Sequence, residues 1–104
     1  PEQYPDVKTP WLAFPLVIKK NNYFSRKQLQ IFFEKNDIQT RTIFTGNILR
    51  QPVAKKFEWE SFGNFEVSDE IMKSGILLGC HNRQTKEKLD FTIEKLLEAE
   101  SCLR

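Results

Sequence analysis

The residues best suited to chemistry lie in one stretch, Arg41-Thr42-Ile43-Phe44-Thr45-Gly46-Asn47-Ile48-Leu49-Arg50-Gln51-Pro52. A Gly-Asn pair permits a turn with positive φ and turns backbone N–H groups outward. Arg50 and Gln51 follow shortly after Gly46, and Arg41 lies just before. A guanidinium presents a fork of donors that matches phosphate or carboxylate oxygens. The stretch is therefore a candidate anion site, and the competing reading is a structural turn carrying a solvated Arg. His81, in Gly79-Cys80-His81-Asn82, is the sole histidine. A lone His in a loop after a strand more often makes a surface hydrogen bond than catalyses. Cys80 reads as a small buried hydrophobe and Cys102 as inert. The two cysteines form no C-x-x-C and have no His cluster beside them, so neither a disulfide framework nor a zinc site is expected. Dinucleotide-binding, phosphate-loop, zinc-protease and nucleophile-elbow motifs are all missing. With one His, no His-based metal site can form without help.

These residues need elements to position them. Residues 1–10 hold three of the five prolines and read as an extended lead-in. Leu12–Lys19 is an apolar, partly β-branched run that predicts a strand, and Pro15 places it at an edge. Lys19-Lys20-Asn21-Asn22 predicts a turn. Ser25 followed by Gln28 has capping-box spacing, and Phe24 with Leu29 makes a hydrophobic staple. The helix so begun carries the stripe Leu29, Phe32, Phe33 and stops at Asn36-Asp37. Ile38 to Phe44 alternates like a strand. Gly46 to Phe57, with Pro52 inside it, predicts a loop leading into a short helix. Glu58 to Phe65 reads as loop. Ser68 is the expected cap of a helix with Asp69 and Glu70 in its first turn, ended by Gly75. Ile76-Leu77-Leu78 predicts a short buried strand. Thr85 is the expected cap of a last helix whose stripe is Leu89, Thr92, Ile93, Leu96 and Leu97. The expected fold is α+β: a small antiparallel or mixed sheet of about three strands, with helices packed on one face.

The chain has 104 residues, one domain's worth of polymer. Nine Phe, two Trp and two Tyr exclude a disordered chain, because disordered segments lack aromatics. No apolar run approaches the roughly 20 residues of a membrane span, and no signal-peptide pattern opens the chain. A net charge of +2 is too small to imply nucleic acid. The charge is uneven: residues 1–50 hold eight Lys/Arg against four Asp/Glu, or +4, and residues 51–104 hold eight against ten, or −2. An anionic ligand is therefore expected on the first half. The chain opens on Pro1 and its one Met is Met72, which reads as a processed chain or a piece of something larger.

Two segments resemble a known family. Trp11-Leu12-Ala13-Phe14-Pro15-Leu16 is similar to the W-x-G-F-P-L segment that begins the C-terminal domain of sugar-nucleotide enzymes of the DegT/DnrJ/StrS aminotransferase family. Arg41 to Pro52 resembles that family's R-x-x-F-x-G-N-x-x-R-Q-P, and Ser68-Asp69-Glu70-Ile71-Met72, Gly79 and the helix after Thr85 follow in the expected order. Ala13 stands where Gly is usual, Ala54 where an aromatic is common and Asn82 where many relatives have Pro. The resemblance points to the 3-dehydrases of NDP-4-keto-6-deoxyhexoses, in deoxysugar and lipopolysaccharide biosynthesis.

It implies a fold-type-I parent using pyridoxal or pyridoxamine phosphate (PLP or PMP), a homodimer in the cytoplasm. The cofactor and the catalytic Lys or His would lie in a larger N-terminal domain. Residues 1–104 would be the small C-terminal domain on the substrate side. By themselves they would be inactive and hold no cofactor. Arg41, Gly46, Asn47, Arg50, Gln51 and His81 would bind the NDP-sugar. The alternatives are an aminotransferase of the same family, or an autonomous binding module that is no enzyme. No nucleic-acid or membrane partner is expected.

Overall fold

The computed structural model describes residues 3–20 and 23–103. The predicted turn at Lys19–Asn22 falls partly on residues 21 and 22, outside the described residues. The elements run β1 (Ala13–Val17), α1 (Arg26–Lys35), β2 (Thr40–Thr42), two 3-10 turns (Ile48–Arg50 and Pro52–Lys56), α2 (Glu66–Ser74), β3 (Gly75–Gly79) and α3 (Lys86–Cys102). The three strands form one antiparallel sheet in the order β1-β3-β2. Pro15 pairs with Leu77 from an edge strand, the position a residue without an N–H tolerates.

The register separates the sheet's two faces. Leu16 opposes Ile76, and Thr40 opposes Leu78, so these residues share one face. That face meets the helices. Ile18, Phe24, Leu29, Phe33, Ile76 and Ala99 form the core, with Leu16, Phe32, Leu78, Leu96 and Leu103 packed against it. The opposite face carries Pro15, Leu77 and Arg41 in one row.

α1 begins as its residues require. The Ser25 side chain accepts from the Gln28 backbone N–H, and the Gln28 side chain accepts from the Ser25 N–H at 2.9 Å. Both staple residues, Phe24 and Leu29, are buried. Asn36 ends the helix, and Asp37 follows with φ 58°. Glu34 then ties α1 to β2 by accepting from the Thr40 backbone N–H at 2.7 Å and the Thr40 hydroxyl at 2.9 Å. These bonds, the backbone one first, hold the Glu34 carboxyl below its ordinary pKa.

Three expectations need correction. β1 and β2 are shorter than the apolar pattern. β2 stops at Thr42 because Phe44 adopts φ 45° and its N–H turns back to the Thr42 carbonyl at 2.9 Å. Ser68 does not cap α2. The helix starts two residues earlier at Glu66, behind Phe65 in a left-handed conformation with φ 58°. Gly75 ends α2 as expected, with φ −85°; a side chain there would meet the Ile71 carbonyl oxygen at 2.5 Å, so the glycine answers a close approach. Thr85 caps α3, yet only part of the expected stripe is covered. Thr92 and Leu96 are half-buried and Ala99 is fully buried, whereas Leu89, Ile93 and Leu97 are exposed. The helix therefore meets the core along 92, 96, 99 and 103, to one side of the predicted line.

Candidate functional site

The Arg41–Pro52 stretch folds into a loop that leaves the edge of the sheet and packs on α2. β2 delivers Arg41 on the face away from the helices. The chain then reverses through a turn closed by the Gly46 N–H on the Ile43 carbonyl at 2.9 Å. Gly46 takes φ 64°, which suits glycine alone at low cost. A Cβ there would lie 2.8 Å from Met72 Cα, so the glycine also lets α2 approach.

Asn47 is 4% exposed, and both ends of its amide are bonded. Its Oδ1 accepts from the Leu49 N–H at 3.0 Å, which starts the first 3-10 turn. Its Nδ2 donates to Asp69 Oδ1 at 2.8 Å. Arg50, at the end of the same turn, clamps the same carboxylate: Nε donates to Oδ1 at 2.9 Å and Nη2 to Oδ2 at 2.7 Å. Its side chain is 54% exposed. The Arg50 hydrogen bonds first, then the one from Asn47, hold the Asp69 carboxyl below its ordinary pKa. Gln51 Nε2 donates to the Thr45 carbonyl at 2.8 Å and braces the loop from within.

The structure thus brings Gly46, Asn47, Arg50 and Gln51 together. Arg41 is exposed at the entry to the same loop, with Nη1 on the Thr40 carbonyl at 3.1 Å. Arg41 and Arg50 turn cationic groups toward solvent, while Gly46, Asn47 and Gln51 build the loop. His81 lies elsewhere. β3 starts at Gly75 beside α2 and runs away from the loop, so His81 is a strand length distant, roughly 17 Å at ~3.4 Å per residue. There it accepts from the Arg83 N–H on Nδ1 at 3.1 Å and lines an apolar cleft of about 730 Å³ with Phe14, Leu78, Leu89 and Phe91. Among the described residues no group of three or more His, Cys, Asp or Glu could hold a metal.

Sequence reasoning missed Asp69 as a member of the site. It read this residue as a first-turn acid of α2 within a segment that resembles the family, with no role at the site. The separation of 19 positions between Arg50 and Asp69 gives no local signal; the pairing exists because Gly46 admits Met72, about one helical turn beyond Asp69.

The model of the DegT/DnrJ/EryC1/StrS aminotransferase family matches residues 1–97. The chain belongs to that family. It is 31% identical over 88 residues to the lipopolysaccharide biosynthesis protein RfbH of Salmonella typhimurium, covering 85% of this chain and 20% of the relative. It is 31% identical over 87 residues to the GDP-4-keto-6-deoxy-D-mannose 3-dehydratase of Escherichia coli O55:H7, covering 83% and 22%. A solved structure of the E. coli GDP-4-keto-6-deoxy-D-mannose-3-dehydratase with bound hydrated PLP superposes with a TM-score of 0.76 at 31% identity, over 83% of this chain and 22% of that one. The chain spans about a fifth of the length of these relatives, and its α+β fold is that of the corresponding part.

Proposed function

We propose that this chain is the small substrate-side domain of a PLP- or PMP-dependent 3-dehydrase acting on an NDP-4-keto-6-deoxyhexose, in deoxysugar and lipopolysaccharide biosynthesis. One observation carries the reading: the loop that most resembles the family motif is a pre-formed turn bearing two exposed guanidinium groups, in a fold shared with a 3-dehydratase. A nucleoside-diphosphate sugar offers a diphosphate to Arg50 or Arg41, and hydroxyls to the loop's remaining polar groups.

The cofactor belongs outside these residues. Gln51 and Asn47 are bonded to the loop itself and to Asp69, and two of Arg50's three nitrogens clamp Asp69. Among the described residues no lysine bonds to this loop, so the loop itself offers no linking amine to a pyridine-ring cofactor.

The partners in this proposal are a cofactor-binding N-terminal domain and a second subunit, with the enzyme in the cytoplasm beside the nucleotide-sugar pool. The surface supports a large partner. The accessible area is 8837 Å², against roughly 6100 Å² for a free-standing monomer of 12.3 kDa. Among the described residues no helix is long and apolar enough to cross a membrane.

The test is turnover by the complete enzyme of an NDP-4-keto-6-deoxyhexose. Loss of the 3-hydroxyl is the expected product, and a new amine in its place would select the aminotransferase reading. Arg50→Ala is expected to lower kcat/KM at least about tenfold with little change in Tm. Unchanged turnover in Arg50→Ala would remove Arg50 from the substrate contact.

A further inference from the structure

Arg50 is exposed by half, yet its guanidinium is not free to swing. Asp69 takes its Nε and Nη2 in a two-point clamp, and Asn47, almost wholly buried, donates to the same Oδ1 that takes Arg50 Nε. Asp69 is fixed in turn. It shares an α2 face with Met72 three residues on. Met72 packs on Gly46, its carbonyl accepts from Arg26 Nη1 at 2.6 Å, and its Sδ lies 3.9 Å from Gln51 Nε2. The chain of contacts runs from the α1 start through α2 to one guanidinium.

We propose that Asp69 is a positioning residue for substrate binding. It holds one edge of the Arg50 guanidinium so that Nη1, which has no protein partner among the described residues, is presented to the diphosphate of the sugar nucleotide. This inference rests on the substrate-facing reading of the loop. A flexible Arg would lose rotamer freedom on binding; one clamped beforehand does not, so Asp69 acts on affinity and not on the chemical step. The Arg50 and Asn47 hydrogen bonds hold the Asp69 carboxyl below its ordinary pKa, so the clamp stays charged to lower pH than a free carboxylate would.

The experiment is steady-state kinetics on the complete enzyme with an NDP-4-keto-6-deoxyhexose, comparing Asp69→Asn, Arg50→Lys, Arg50→Ala and the double variant Asp69→Asn/Arg50→Ala. Asp69→Asn is expected to raise KM at least about tenfold with kcat within about twofold. It is expected to add nothing in the Arg50→Ala background. Arg50→Lys keeps the charge but cannot be gripped at two points, so it should reproduce the Asp69→Asn KM. A wild-type KM in Asp69→Asn, beside an impaired Arg50→Ala, overturns the positioning role and leaves the substrate-facing loop standing. A wild-type KM in Arg50→Ala removes Arg50 from the substrate contact and ends the proposal with it. If Asp69→Asn unfolds, Arg50→Lys decides: a wild-type KM there shows that charge alone suffices and ends the proposal.

Discussion

Gly46 carries two constraints at once, a positive φ and the contact with Met72. Replacing it by Ala forces a left-handed L-residue, about 1–2 kcal/mol, and drives a methyl into helix backbone, a further ~1–3 kcal/mol of overpacking. Gly46→Ala is therefore expected to lower Tm by roughly 10–40 °C, taking about 2–5 kcal/mol in all and ~4–8 °C per kcal/mol in a domain this size. Thermal unfolding followed by circular dichroism checks this, and an unchanged Tm would mean that the loop does not pack on α2 as described. At this scale the sequence was half readable. A Gly-Asn pair announces a turn, and the Arg-Gln-Pro that follows announces polar recognition. That Asn47 and Gln51 face inward, and that Arg50 has a carboxylate partner, follows only from where α2 comes to rest.

Among the elements, α1 was legible because its instructions are local: cap, box, staple and stripe all lie close together in the chain. α3 was legible at its start and not in its face. Leu89, Ile93 and Leu97 look like a core stripe because the pattern is apolar, but a pattern cannot say which partner it meets. Ala99, small and inconspicuous in sequence, is the residue α3 buries most completely. The two classes should separate on truncation. Leu29→Ala, at 2% exposure, is expected to cost ~2–5 kcal/mol. Ile93→Ala, at 50% exposure, is expected to cost this chain under about 1 kcal/mol. Urea unfolding of both variants checks the difference. A large loss from Ile93→Ala would show that α3 is rotated so that its Leu89/Ile93/Leu97 line meets the core.

The whole molecule is extended for its length. Its radius of gyration is 16.1 Å, where about 13 Å is usual for a compact domain of this size. Large apolar residues supply part of this surface: Leu12, Phe44 and Phe62 are all more than four-fifths exposed. Hydrophobic pattern reports that a residue will be buried by something, and in a chain spanning a fifth of its relatives the something need not be in the chain. In the proposed enzyme the Gly46–Gln51 loop, at one end of the sheet, faces the sugar nucleotide. Amide hydrogen exchange of the complete enzyme, with and without an NDP-4-keto-6-deoxyhexose, tests this most directly. Exchange at Gly46–Gln51 is expected to slow on adding the sugar nucleotide. No slowing at Gly46–Gln51 would contradict it.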